Sequence, residues 1–220
     1  MTIPEAVIFD MDGLMFDTEA LGLDAWLYIS NKMNINVTKE LALETLGVDW
    51  QSCKKILFSE LGEFDFTSAQ KLFAKYLENH INEHGVPIKS GLIELLDFLD
   101  ENKLKKAVAT SSLYVDAMYY ISYAGIENRF DKIVTGDMIT NGKPNPEVFL
   151  LTAKLLSVDP ENCIVLEDSY NGIKAAHAAK MIPIMIPDLV NPSDEIMSLL
   201  YDKLHSLYDV IGLITKIMKK

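Results

Sequence analysis

Short apolar runs alternate with longer amphipathic segments over most of the chain. The runs lie at residues 6–9, 106–109, 132–134, 163–166 and 182–186. Continuous runs rich in Val and Ile are typical of strands buried on both faces, as in a parallel sheet. Helical spacing of apolar residues is found over 91–102, 145–156, 171–180 and about 207–218. This alternation predicts an α/β fold with a doubly wound, mostly parallel sheet.

The stretch from about Phe16 to Gly85 breaks this rhythm. Its apolar residues recur at helical spacing and it contains no convincing strand pattern. It is interpreted as an all-helical block inserted after the first strand, with Gly85-Val86-Pro87 as the return linker. We therefore expect a core domain formed by 1–15 and 86–220, and a helical domain over 16–85.

Net charge restricts the classes of partner. The chain of 220 residues has 20 basic and 32 acidic side chains, for a formal charge of −12. Nucleic acids and anionic lipid surfaces need clustered Lys and Arg, so neither is expected as a partner. The same charge also repels phosphorylated ligands at long range. A monomer is favoured, although the sequence does not reveal the oligomeric state.

Cysteine content and hydropathy indicate the compartment. The two cysteines, Cys53 and Cys163, are too few for a disulfide framework or a cysteine metal site. The first residues do not form a secretory signal, and no run approaches the roughly 20 apolar residues of a membrane span. A cytoplasmic protein is the default expectation.

Polar and charged residues follow the predicted strands where the chain leaves the sheet. The segments are Asp10-Met11-Asp12-Gly13, Thr110-Ser111-Ser112, Asn141-Gly142-Lys143-Pro144 and Glu167-Asp168-Ser169. Ligands of doubly wound sheets gather at the carboxyl ends of the strands, so one site is expected there. Clustered carboxylates cannot all stay ionised without a cation, and Mg²⁺ commonly joins carboxylates to a phosphate.

Each segment also has a simpler interpretation when it is taken alone. The segment from Asp10 to Gly13 is compatible with a plain turn, and Thr110 with the cap of the helix that follows. Lys143 is compatible with a solvated surface lysine, and Glu167-Asp168 with an acidic pair at a helix N-terminus. Their joint occurrence at strand ends and helix starts favours a single site.

Four segments carry a resemblance to a known family. They read VIFDMDGLMFDTE from Val7, AVATSS from Ala107, NGKPNPEVF from Asn141 and VLEDSYNGIKAA from Val165. In this order they resemble the haloacid dehalogenase superfamily of phosphohydrolases, in the branch that holds β-phosphoglucomutases and small sugar-phosphate phosphatases. The resemblance covers nearly the whole chain and implies a Rossmann-like core with an inserted helical cap.

The resemblance also implies roles for individual residues. Asp10 would be the nucleophile that forms an aspartyl-phosphate, and Asp12 the general acid and then base. Thr110, with the Ser111 amide beside it, and Lys143 would hold the transferring phosphoryl group. Mg²⁺ would be bound by the Asp10 side chain, the Asp12 carbonyl and Asp168, with Glu167 supporting through water. These roles agree with the positioning and charge neutralisation that phosphoryl transfer requires.

The helical insert bears on the choice between hydrolysis and transfer. The mutases have a segment of the form Leu-Lys-Gly-x-x-Arg, and the matching segment here reads Thr45-Leu46-Gly47-Val48-Asp49-Trp50. The glycine is retained at Gly47, whereas Leu46 replaces the lysine and Trp50 replaces the arginine. Gly22 stands where that branch usually has a histidine. The expectation is a phosphatase for a small phosphorylated metabolite. A phosphosugar mutase is the alternative, because Lys54 and Lys55 lie one helical turn after Trp50 and could bind the second phosphate. Trp50 is a candidate for stacking on substrate, although a buried cap position is favoured.

Two other classes fit less well. Signalling receiver domains share acidic, hydroxyl and lysine residues on a doubly wound sheet, but they are about half this length and have no place for the insert. A non-catalytic sugar-phosphate binder would require the loss of a catalytic residue. Asp10, Asp12, Thr110, Lys143 and Asp168 are all present.

Overall fold

A computed structural model describes residues 4–46, 48 and 50–219. They form two compact units: the residues up to Phe16 with those from Ile88 onward, and Asp17–Pro87. The ends of the second unit lie within two residues of 16 and 85, the limits predicted for the helical insert. No helix in the described ranges combines the length and apolar character needed to span a bilayer.

The first unit is built on a six-stranded parallel sheet. Its strands are β1 (Ala6–Phe9), β2 (Lys105–Ala109), β3 (Lys132–Val134), β4 (Cys163–Glu167), β5 (Ile182–Met185) and β6 (Asp202–Lys203). The order across the sheet is β3-β2-β1-β4-β5-β6, which places β1 between β2 and β4. Phe9 pairs with Val108 on one side and Leu166 on the other. The segments that follow these three strands therefore leave the sheet side by side.

Helices alternate with the strands or form the insert. They are α1 (Thr18–Met33), α2 (Lys39–Leu43), α3 (Trp50–Leu61), α4 (Phe66–His84), α5 (Leu92–Glu101), α6 (Tyr114–Tyr123), α7 (Glu147–Leu156), α8 (Tyr170–Ala178), α9 (Asp194–Met197) and α10 (Leu207–Met218). The helices α1 to α4 belong to the second unit, and the others to the first.

Both faces of the sheet are buried. On one face, Ile8 and Val165 of the central strands pack with Val148 and Phe149 of α7 and with Ala175 of α8. All four residues of β1 are fully buried, as expected for a central strand with helices on each side. The predicted α/β class with a doubly wound parallel sheet is confirmed.

The second unit has a core of its own, rich in aromatic side chains. Trp26, Ile29, Leu57, Phe66 and Ala69 are buried within it. The Trp26 ring packs against Phe73 at 5.4 Å between centroids. The helical spacing of apolar residues over this stretch therefore reflects a packed helical core.

The main differences from the sequence prediction are short elements. The strand β6 has only two residues, Asp202 and Lys203, and neither is apolar, so no hydrophobic run marks it. The helix predicted over 145–156 begins two residues later, at Glu147, with Pro146 at the N-cap position. Cys53 and Cys163 are both buried.

Helix α7 offers a matched test of the core. Leu156 is 4% exposed and belongs to the cluster against the sheet, whereas Leu150 of the same helix is 41% exposed. We expect Leu156→Ala to lower the free energy of unfolding by about 2–5 kcal/mol, because it removes a buried side chain and leaves a cavity. The control Leu150→Ala should cost less than half as much. Urea unfolding measures both, and equal losses would contradict this packing.

Candidate active site

Lys143 lies at the centre of the buried charges at the carboxyl edge of the sheet. Its Nζ donates to Asp10 Oδ1 at 2.5 Å, to Glu167 Oε1 at 2.7 Å and to the Ala109 carbonyl oxygen at 3.1 Å. Its side chain is only 6% exposed, and Nζ lies 4.9 Å from the centre of the Phe149 ring. Lys143 therefore joins the ends of β1, β2 and β4, and is not a solvated surface lysine.

Three carboxylates converge at this edge. Asp10, Glu167 and Asp168 are all buried, and each offers an oxygen within 4.8 Å of the others. Asp10 directly follows β1, Glu167 ends β4, and Asp168 follows it, so the pairing of these strands brings the three groups together. Hard divalent cations prefer such oxygen donors.

The electrostatics of the cluster fit a cation. Burial, with a further contribution from the charge of Glu167, raises the pKa of Asp10 to about 8 although Lys143 acts to lower it. Burial disfavours the charged form of Lys143, but the carboxylates of Asp10 and Glu167 outweigh it, so the pKa of Lys143 is raised. Lys143 thus stays charged, but its single positive charge is not enough to keep all three carboxyl groups ionised. A divalent ion fits the remaining negative charge.

Glu167 is held by the start of α8. Its Oε2 accepts hydrogen bonds from the Ser169 backbone N–H at 2.8 Å and from the Ser169 hydroxyl at 2.9 Å. Gly172 leaves the space for this carboxylate, because a Cβ there would lie 1.6 Å from Glu167 Oε1. The sequence pointed to Glu167 but gave no signal for the role of Gly172, which depends on the packing of α8 against β4.

Thr110 and Ser111 follow β2. Thr110 is 1% exposed, its N–H donates to the Val134 carbonyl oxygen at 3.0 Å, and its Oγ1 accepts from the Ser112 N–H at 3.0 Å. The alternative that Thr110 caps the next helix is wrong: α6 begins at Tyr114, whose N–H donates to Asp137 Oδ1. Ser111 is exposed beside it.

Asp12 is placed by an interaction that sequence reasoning missed. The Ser112 hydroxyl donates to Asp12 Oδ2 at 2.7 Å. Partial burial and the charge of Asp12 raise the pKa of Asp116, and burial followed by the charges of Asp12 and Asp116 raises that of Tyr120. Asp12 therefore faces the segment after β2 and one side of α6. Its carboxylate is not among the three that converge, and the metal ligand predicted from Asp12 is its backbone carbonyl.

Trp50 belongs to the second unit and packs within its aromatic core. Its ring lies 5.3 Å from Phe73, 6.0 Å from Phe66 and 6.4 Å from Trp26, measured between centroids. It is nevertheless 43% exposed, and it lines a groove of about 370 Å³ together with Lys54 and Gln70. Trp50 is therefore packed on one side and open on the other.

The other insert positions that differ from the mutase pattern are apolar. A Cβ at Gly22 would lie 3.4 Å from Phe73 and 3.5 Å from Leu46. Leu46 thus packs beside Gly22 and Phe73 where the mutase pattern has a lysine. Gly47 and Asp49 of the same stretch lie outside the described residues.

The sheet, the acidic cluster and the buried lysine define the class of protein, and comparison with known families agrees. The sequence model of the family of haloacid dehalogenase-like hydrolases matches residues 7–186. The chain belongs to this family. The resemblance drawn from the four motifs is confirmed, and with it the class of enzyme, a phosphoric monoester hydrolase of that superfamily.

Individual relatives include both phosphatases and a mutase. The chain is 34% identical over 175 residues to a phosphorylated carbohydrates phosphatase of Thermotoga maritima, covering 80% of this chain and 81% of the relative. It is 28% identical over 208 residues to hexitol phosphatase B of Escherichia coli K12, covering 93% of each. A crystal structure of β-phosphoglucomutase from Clostridium difficile superposes with a TM-score of 0.75 at 26% identity, covering 99% of this chain and 100% of that one.

Gly172 gives a direct test of the way in which Glu167 is held. Alanine normally stabilises a helix relative to glycine, but at residue 172 its Cβ would overlap the Glu167 carboxylate. We expect Gly172→Ala to lower the free energy of unfolding by about 1–3 kcal/mol through overpacking. Gly212 of α10 is the matched control, because a Cβ there meets nothing within 4 Å. Gly212→Ala should be neutral or stabilising in urea unfolding, and the same result for Gly172→Ala would refute the close approach.

Proposed function

We propose that the protein is a Mg²⁺-dependent phosphatase that hydrolyses a small phosphate monoester, a sugar phosphate or similar metabolite, through an aspartyl-phosphate on Asp10. The observation that carries this proposal is the bridge of Lys143 between Asp10 and Glu167 inside a buried acidic cluster. Such a lysine orients the nucleophile and offers a positive charge to the incoming phosphoryl oxygens. Phosphoryl transfer depends mainly on this kind of positioning and charge neutralisation.

In the first step a carboxylate oxygen of Asp10 attacks the phosphorus and the ester P–O bond breaks. The electron pair of that bond stays on the leaving oxygen, which takes a proton from the carboxyl group of Asp12. Thr110, with the Ser111 amide beside it, and Lys143 hold the phosphoryl oxygens. The product of this step is the free alcohol with the phosphoryl group bound to Asp10.

In the second step Asp12 acts as the base. It takes a proton from a water molecule as the water oxygen attacks the phosphorus, and the bond between Asp10 and phosphorus breaks. Inorganic phosphate leaves, Asp10 regains its carboxylate and Asp12 regains its proton. One residue thus serves as acid and then as base, so no net proton remains on the enzyme.

The predicted metal ligands suit Mg²⁺. Asp10 and Asp168 would bind the ion directly with the carbonyl of Asp12, and Glu167 would support it through water. When bound, Mg²⁺ supplies positive charge that offsets the repulsion between the Asp10 carboxylate and the phosphate. The convergence of three buried carboxylates, two of which contact Lys143, supports this assignment.

Residues 16–85 are proposed as a cap on a core of 1–15 and 86–220, excluding water and selecting the substrate. The apolar surroundings of Gly22 and Leu46 favour hydrolysis, because neither position offers a donor to a second phosphate. Two of the relatives are named as phosphatases of phosphorylated carbohydrates and hexitols, which supports a sugar phosphate as the substrate class.

A β-phosphoglucomutase-type phosphosugar mutase is the second candidate. Lys54 lines the same groove as Trp50 and could bind a distant phosphate in place of the missing lysine and arginine. The similarity to the Clostridium difficile mutase favours this alternative as well. Trp50, open on one side, would in either case offer a ring face to a sugar.

Asp10 is the proposed nucleophile, so its replacement should abolish the activity. We expect the protein to hydrolyse p-nitrophenyl phosphate with Mg²⁺, and chelation by EDTA to abolish the activity. Asp10→Asn should lower the rate to background because the amide is not a nucleophile here, whereas the exposed Asp97→Asn serves as the matched control with unchanged rate. Release of p-nitrophenolate measures all four conditions. Activity that survives both EDTA and Asp10→Asn would overturn the assignment.

The products formed from a sugar phosphate distinguish hydrolysis from phosphoryl transfer. With β-glucose 1-phosphate as substrate, a phosphatase releases inorganic phosphate, whereas a mutase produces glucose 6-phosphate. We expect phosphate release to dominate, because Leu46 and Trp50 replace the basic residues that would hold the second phosphate. Assays for both products in one reaction decide the question, and efficient formation of glucose 6-phosphate would establish the mutase.

A further inference from the structure

Ser112 is fixed at three points. Its N–H donates to Thr110 Oγ1 at 3.0 Å, and its carbonyl oxygen accepts from the Gly136 N–H at 2.8 Å. Its hydroxyl donates to Asp12 Oδ2 at 2.7 Å. Because both backbone groups are engaged, the direction of the Ser112 hydroxyl is set by the loop after β2 and not by solvent.

The segment after β3 supports this loop. A Cβ at Gly136 would lie 2.2 Å from the Ser111 carbonyl oxygen, so glycine permits the two segments to touch. Asp137 Oδ1 accepts from the Thr135 hydroxyl at 2.6 Å and from the Tyr114 N–H at 3.1 Å. The backbone from Thr110 to Tyr114 is thereby held against a second strand end.

The hydrogen bond from Ser112 has a chemical consequence for Asp12. An ionised carboxylate only accepts hydrogen bonds, so Ser112 must donate to Oδ2. When Asp12 takes up a proton, the oxygen that is already accepting is the poorer site for it. The proton is therefore directed to Oδ1, and the plane of the carboxyl group is fixed at the same time.

We propose that Ser112 is a positioning residue for proton transfer by Asp12. It holds Oδ2 and leaves Oδ1 to deliver the proton to the leaving oxygen. This inference rests on the proposed function, since it assigns to Ser112 a part in the step in which the ester bond breaks. Ser112 acts through Asp12, not on the phosphoryl group.

The leaving group provides a readout that a merely structural role would not affect. p-Nitrophenolate is stable as an anion near neutral pH and departs without a proton, whereas p-methylphenolate is more basic and gains from an acid. The ratio kcat/KM reports the steps up to departure of the alcohol. Loss of a well-placed acid therefore lowers kcat/KM more for p-methylphenyl phosphate than for p-nitrophenyl phosphate.

The experiment compares kcat/KM for these two aryl phosphates in the full-length protein with Mg²⁺. General acid catalysis contributes about 10²–10⁴-fold, so we expect Ser112→Ala to lower kcat/KM for p-methylphenyl phosphate by about 10–100-fold and for p-nitrophenyl phosphate by less than about 3-fold. Ser112→Thr retains the hydroxyl and should restore most of the loss. Ser122→Ala, in α6, is the matched control and should change neither value.

The contrary outcomes are distinct. Equal losses for both substrates would show that Ser112 only supports the loop, and unchanged values would show that it does nothing for Asp12; either result overturns the inference. If the wild-type protein hydrolyses neither substrate, the proposed function fails and the inference fails with it. Urea unfolding of each variant verifies that it is folded, and Ser112→Thr supplies the comparison if the alanine variant is unstable.

Discussion

The burial of several carboxylates at one edge of the sheet is the constraint on which the rest of the site depends. Removing an ion from water costs on the order of several kcal/mol, and like charges at close range add to that cost. Lys143 offsets part of it through contacts with Asp10 and Glu167, and the hydrogen bonds from Ser169 offset more. The remaining negative charge makes the cluster a place where a bound divalent cation would lower the cost of burying these carboxylates.

The parts of the fold that depend on local pattern could be predicted from the sequence. Continuous runs of Val and Ile indicate buried strands and amphipathic helices have a clear period, and β1 and α10 have the predicted limits. The strand β6 could not be found, because two polar residues carry no periodic signal. The convergence of Asp10 with Glu167 and Lys143 followed from the rule that ligands gather at strand ends, and the four motifs placed these residues there.

The missed features are contacts between segments far apart in the chain. Ser112 meets Asp12 across 100 residues, Gly136 lies against Ser111, and Gly172 lies against Glu167. Each depends on a backbone approach that only the assembled sheet creates. A glycine in a helix or after a strand looks like a weak position when read locally. In this fold Gly172 and Gly136 are required because a single Cβ would displace a buried carboxylate or a loop carbonyl.

The nature of the group that holds Asp12 matters for the chemistry. A lysine or arginine in the place of Ser112 would also orient the carboxylate, but its positive charge would favour the ionised carboxylate, which has no proton to donate. A neutral hydroxyl gives direction with a smaller effect on acidity, because hydrogen bonds from ionised donors are about twice as strong. The charged donor, Lys143, is directed instead to Asp10, which as the proposed nucleophile would attack as an anion. The two aspartates lie two residues apart, and their different partners fit the proposed roles of Asp10 in nucleophilic attack and Asp12 in proton transfer.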